Sequence, residues 1–202
     1  MPPTGQVALN IGQVIKLYRE HGHQYYGAAL HEAMLQFADK EVNEPLNNDS
    51  YADALFLTDI MLQKTFHNLD VLTGRCVGQF FSVLKDSFVE ALKRIKNLGG
   101  RARFILVDTD SVMPAVFEEL RNEGYPILVT FAKTVGDAKV SHYIIADEKM
   151  LRDEEYHGEI SEESAASDIR AKVYLNSPIY ARAKQVRFDS VWDKLNPRTT
   201  EL

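Results

Sequence analysis

The stretch KVSHYIIADEK, residues 139 to 149, sets His142 and Asp147 between Lys139 and Lys149. A histidine can attack phosphorus or move protons near neutral pH, and a lysine can hold the nonbridging oxygens of a phosphodiester. Such chemistry also needs a general acid. Along an extended strand alternate residues share a face, so Val140, His142, Ile144 and Ala146 point one way and Ser141, Tyr143 and Ile145 the other. His142 therefore stands in an apolar row, which suits a core histidine as well as a catalytic one. Asp147 falls at the exit turn of the strand, where α/β folds place functional side chains.

A second stretch, LTGRCVGQFF, brings Gly74, Arg75, Cys76 and Gly78 between a strand and a helix amino terminus. Free backbone N–H groups and the helix dipole favour an anion there, and an arginine adds a forked donor. Gly74, Arg75, Gly78 and Lys149 are thus the phosphate-binding candidates, although the spacing is no P-loop, and glycines also serve a plain tight turn. Lys139 and Lys149 are the candidate cations beside His142. EHGHQYYGAALHE gathers His21, His23 and His31 near Glu20 and Glu32, but histidines two apart leave a helix on different faces, and no zinc-protease spacing follows. Neither a metal site nor a cofactor is expected. The basic residues Lys93, Arg94, Lys96, Arg101 and Arg103 read as a helix carboxyl end and the strand after it, favouring the dipole.

These residues need elements to position them. Apolar residues at spacings of three and four predict three helices before residue 67, interrupted by EPLNNDSY. HNLDVLTG is a short apolar segment, and a long helix is expected over 79 to 97, closed by NLGG. Then follow the buried strand RARFILVD, a helix in DSVMPAVFEELRNEG, strands in PILVTFA, KVSHYIIAD and IRAKVYLN, and a last helix with Ser177 as cap and Pro178 in its first turn. The run DEEYHGEISEESAASD, with five glutamates, two aspartates and no lysine or arginine, reads as a solvated loop. Alternating strands and helices predict an α/β fold, a mixed β-sheet flanked by helices. The expected organisation is a helical extension over 1–66 and an α/β domain over 67–202.

The order of these elements, with Asp147, a downstream Arg152, Asn176 and Pro178 after the last strand and Phe188 and Trp192 on the last helix, resembles the phospholipase D-like fold over roughly residues 67 to 195. Members of that superfamily carry His-x-Lys, four residues, then Asp, and the histidine forms a phosphohistidine. Aligning Asp147 with the motif aspartate puts His142 in the lysine slot and Val140 in the nucleophile slot. Valine cannot attack phosphorus, so the segment resembles a degenerate, inactive member. The resemblance implies homodimers, because members with one motif per chain commonly pair.

The 202 residues carry a net charge of -6, so the whole molecule repels polyanions, and nucleic-acid binding would need a local basic patch. The single cysteine, Cys76, suits a reducing compartment; without an apolar spanning run or a signal-like amino terminus, a cytoplasmic protein is expected. The function expected is a non-catalytic binding, regulatory or accessory module for a phosphate-bearing ligand or a protein partner. The alternatives are a dimeric phosphodiesterase or nuclease, with His142 as nucleophile assisted by Lys139 and Asp147, and a nucleic-acid-binding protein without catalysis.

Overall fold

The computed structural model describes residues 9–22, 25–74, 80–107, 115–133, 140–157 and 161–197. In chain order the elements are α1 (Ile11–His21), α2 (Ala28–Phe37), β1 (Leu46–Asn48), α3 (Tyr51–Gln63), β2 (Asn68–Thr73), α4 (Phe80–Val83), α5 (Lys85–Asn97) and β3 (Arg101–Val107). They continue with α6 (Ala115–Asn122), β4 (Ile127–Ala132), β5 (His142–Ala146), β6 (Met150–Glu154), β7 (Ala171–Tyr174) and α7 (Pro178–Leu195). The expected single helix over 79 to 97 is divided at Leu84, which is buried all the same.

The strands form one mixed sheet in the order β1-β7-β6-β5-β2-β3-β4. β2, β3 and β4 are parallel, as they must be when α5 and α6 cross between them. The remaining neighbours pair antiparallel, and the turn from β5 to β6 passes through Asp147 and Glu148 at φ +50° and +55°.

Strand alternation divides the apolar residues between two faces. Leu69, Val71, Phe104, Leu106, Ile144 and Val173 join α1, α3, α5 and α6 in the larger core. Leu72, Ile105, Tyr143, Ile145 and Leu151 meet Ala181 and Phe188 of α7 on the other face. The sheet is therefore a middle layer between helices, the α/β arrangement that its element order predicts.

The segment before residue 67 holds a strand as well as helices. EPLNNDSY, read from sequence as a break, contains β1, which pairs with β7 as the edge of the sheet. Next to it, α3 is buried on nearly every side, and the carbonyls of Leu62 near its carboxyl end and of Thr65 just beyond it accept hydrogen bonds from the Arg94 guanidinium.

Three further readings of the sequence are corrected by packing. Arg103 does not serve the helix dipole with its basic neighbours; it is 4% exposed and paired to Asp70. The acidic run is not a solvated loop from its start, because Asp153 and Glu154 belong to β6, and Glu154 is buried. Farther along that run, Ser164 and Glu162 carbonyls accept from the Ile11 and Gly12 N–H groups, tying it to α1. Ser177 precedes α7, but its side chain makes no capping bond and instead donates to Asn43 Oδ1.

Candidate functional site

The strand register at one end of the sheet sets His142 of β5 directly opposite Glu154 of β6, and Ile144 opposite Arg152. Opposed side chains on one face have Cβ atoms about 5 Å apart, so His142 and Glu154 are neighbours by construction. His157, three residues beyond Glu154, returns to the same place. Its Nε2 lies 2.6 Å from Glu154 Oε1, and an ionised carboxylate only accepts, so the histidine donates. Arg152 Nη1 pairs with the other oxygen, Oε2. Arg152 in turn donates from Nε to Asn48 Oδ1 of β1 at 3.2 Å, and its guanidinium lies over the Phe80 ring.

Burial by itself would raise the Glu154 carboxyl pKa. The Arg152 charge, the His157 hydrogen bond and the charges of both histidines overcome it and bring the group down to about 2. Glu154 is therefore an anion at every physiological pH. Burial lowers the pKa of His142 below its ordinary value against the pull of Glu154, leaving a neutral imidazole at pH 7. The Tyr51 hydroxyl, buried at the start of α3 and within the field of Glu154 and Arg152, has no hydrogen-bond partner among the described residues.

Gly74 ends β2 against His142. A Cβ on Gly74 would sit 2.8 Å from His142 Nε2, so a larger residue there would have to push the ring aside. The two stretches singled out in the sequence thus meet at Gly74 and His142. Arg75, Cys76, Gly78 and Lys139 lie outside the described residues.

Asp147 and Lys149 are at the other end of β5. The Asp147 carboxylate accepts N–H groups from Phe66, His67 and Asn68, each at 2.8 Å, and so latches the α3–β2 connection to the β5–β6 turn. The Lys149 carbonyl accepts from Ser177 N–H at the head of α7. Asp147→Ala should lower stability by on the order of 2 kcal/mol, because three backbone donors lose a charged acceptor. Urea unfolding measures the loss, and a change below a few tenths would show the latch idle.

His21 and His31 do not combine into a cluster of possible metal ligands among the described residues, and His31 Nε2 lies 2.9 Å from Gln63 Nε2. His23 lies outside the described residues. Glu154, His157 and Asn48 were missed by sequence reasoning. The signal for Glu154 was the period of two through Met150, Arg152 and Glu154, which an acidic-run reading obscures. Nothing local points to His157 or Asn48, since only folding brings them to Arg152 and Glu154.

On the opposite face, Ser141, Asp153, Lys172, Tyr174, Tyr180 and Arg187 line an open cleft of about 550 Å³ beside α7. Lys184 reaches into it, bonded to Asp153 at 2.7 Å. Tyr174 and Tyr180 stack with centroids 4.4 Å apart. Lys172 and Arg187 have no ion-pair partner among the described residues.

No known sequence family matches the chain, and neither does any curated protein sequence. Solved structures do. TrmBL2, an archaeal chromatin protein with a novel mode of DNA binding, is 15% identical with a TM-score of 0.53, over 82% of this chain and 58% of that one. The chain thus spans little more than half the length of TrmBL2. Nuc from Salmonella typhimurium, a phospholipase D family member, is 14% identical with a TM-score of 0.50, over 74% of this chain and 95% of its own. NucT from Helicobacter pylori is 12% identical with a TM-score of 0.51, over 74% and 97%. The fold is phospholipase D-like. No helix among the described residues is long and apolar enough to cross a membrane.

Proposed function

We propose that this chain with a phospholipase D-like fold is a binding module without hydrolytic activity, acting as a regulatory or accessory component that recognises a phosphate-bearing ligand. One observation carries the reading: His142 is closely approached by Gly74 at Nε2 and faces the Glu154 carboxylate across 3.8 Å at Nδ1, so a phosphodiester anion nearing the ring meets a crowded side or a negative charge. A nucleophile needs a lone pair facing phosphorus, and a phosphate needs an unneutralised cation beside it. Here Arg152 is neutralised by Glu154, and Val140 stands where the motif has its nucleophile.

The cleft beside α7 supports the ligand class. Lys172 and Arg187 supply positive charge with no ion-pair partner among the described residues, in a cleft that Glu154 and Glu155 also line, and the exposed Tyr180, stacked on Tyr174, supplies an aromatic face. A second copy of this chain is a further expected partner, on the superfamily resemblance alone.

The test is hydrolysis of bis(p-nitrophenyl) phosphate and of single- and double-stranded DNA by the wild type and by His142→Ala. Neither protein should turn over any of them. Turnover by the wild type that disappears in the variant would overturn the reading and make His142 a working nucleophile. Alongside, pyrophosphate and ATP binding should weaken at least tenfold, about 1.4 kcal/mol, when Lys172→Glu and Arg187→Glu are combined.

The likeness to TrmBL2 favours DNA binding without catalysis as the second reading. The net charge of -6 opposes it. DNA titrations at low and moderate salt decide, since binding through phosphates must fall steeply between them.

A further inference from the structure

We propose that His142, His157 and Glu154 form a binding site for one divalent transition-metal ion, zinc(II) foremost. The inference goes beyond the ligand reading above and is tested with the metal alone, so either can fail without the other.

Each residue offers one ligand atom, and the three lie within 4.8 Å of one another. Zinc binds histidine nitrogen and carboxylate oxygen at about 2.0 to 2.2 Å, so ligand atoms around one tetrahedral ion lie roughly 3.3 Å apart. The separations from Glu154 Oε1, 2.6 Å to His157 Nε2 and 3.8 Å to His142 Nδ1, straddle that value. Side-chain rotations, with the His157 Nε2 proton released to solvent or replaced by the Nδ1–H tautomer as the metal takes the Nε2 lone pair, would bring the set to coordination geometry. Two imidazoles and one carboxylate are a borderline donor set that suits zinc over magnesium or calcium, which take mostly oxygen.

Two features point to a ligand rather than to a polar network complete in itself. First, His142 makes no hydrogen bond to any described residue although its side chain is only 17% exposed. At 3.8 Å its Nδ1 faces the Glu154 carboxylate across a gap too wide for a hydrogen bond and suited to a bridging cation. Buried polar groups are ordinarily partnered, so this imidazole has an unfilled place. Second, the carboxylate is already oriented from behind: Arg152 holds Oε2, and Asn48 holds Arg152. Such outer contacts fix the direction of metal ligands. Gly74 completes the arrangement by keeping the space against the His142 ring open. Three protein ligands leave a fourth position for water or another donor.

The experiment is titration of metal-free full chain with Zn²⁺ against a competing chromophoric chelator, and with Co²⁺ followed by visible absorbance. One equivalent should bind, with the cobalt bands of a four-coordinate site, and EDTA should reverse it. His142→Ala, His157→Ala and Glu154→Gln should each weaken binding by at least about 100-fold, and Gly74→Ala, which pushes on His142, by about 10-fold. His21→Ala with His31→Ala should leave it unchanged. Circular dichroism checks the fold of each variant. If the three ligand variants do not fold, X-ray absorption on the cobalt-loaded wild type must still count two imidazoles. Absence of stoichiometric binding, binding that survives in folded His142→Ala/His157→Ala, loss in the His21/His31 variant, or a spectrum without two imidazoles each overturns the site.

Discussion

Asp70→Ala should destabilise the protein by about 3 to 5 kcal/mol, because it strands a buried guanidinium. Asp70 on β2 and Arg103 on β3 are cross-strand partners in a parallel register, and both are buried. Arg103 Nε and Nη2 donate to the two Asp70 oxygens at 2.7 and 2.8 Å, a forked pair. Nη2 also reaches Asp189 of α7 at 2.6 Å, Gln185 donates to Asp70, and the guanidinium lies over the rings of Phe188 and Trp192. These contacts dock α7 on the sheet. Without Asp70 the positive charge keeps only Asp189, which is 42% exposed and so a weaker partner. Urea unfolding should show the midpoint falling with little change in slope. Asp70→Leu combined with Arg103→Met, which removes both charges at similar volume, should recover most of the loss. A single variant within 1 kcal/mol of wild type would show that the pair contributes little to docking.

Gly100→Ala should cost about 3 kcal/mol or more, among the largest effects of adding one methyl group. A Cβ at Gly100 would sit 1.8 Å from the His67 carbonyl oxygen, and backbone cannot yield as a flexible side chain does. The same carbonyl accepts from Arg101 N–H at 3.0 Å, so the clash would separate β2 from β3 where their pairing begins. Its neighbour provides the control. Gly99 has φ +70° and open space around its Cβ position, so Gly99→Ala should cost only about 1 kcal/mol, through backbone strain. Thermal unfolding of the two variants side by side separates steric closeness from conformation. Equal losses would remove the close approach as the reason for the second glycine.

The glycine pair shows how far sequence reasoning reached. NLGG is legible as a helix stop, because a glycine past a helix end is a local requirement of backbone conformation. Gly99 meets it. The need for Gly100 comes from His67, a residue distant in sequence, and no local pattern carries that distance. His142 divides in the same way: the alternation that puts it on one face with Ile144 and Ala146 was readable, as was the glycine at 74. That Gly74 presses on the His142 ring was not.

Charged residues were where local reading went astray. Arg103 sits among basic neighbours, so it was read with them as serving a helix dipole, and Glu154 sits in an acidic run, so it was read as solvated. The strands carrying them point both inward, where Asp70 and Arg152 compensate them. Charge runs describe the chain; burial depends on the partner that the register supplies.

Local pattern sufficed for the helices, for β2 to β5 and β7 and for an α/β sheet layered by helices, since hydrophobic periodicity and helix-end residues act within a few positions, but it left out β1 and β6. The tertiary structure alone decided that Asp147 latches backbone far from His142, that a three-residue strand at 46–48 edges the sheet and supplies Asn48, and that His142, Arg152, Glu154 and His157 meet. Those outcomes rest on strand register and on contacts between residues remote in the chain, whose energies have no trace in any local window.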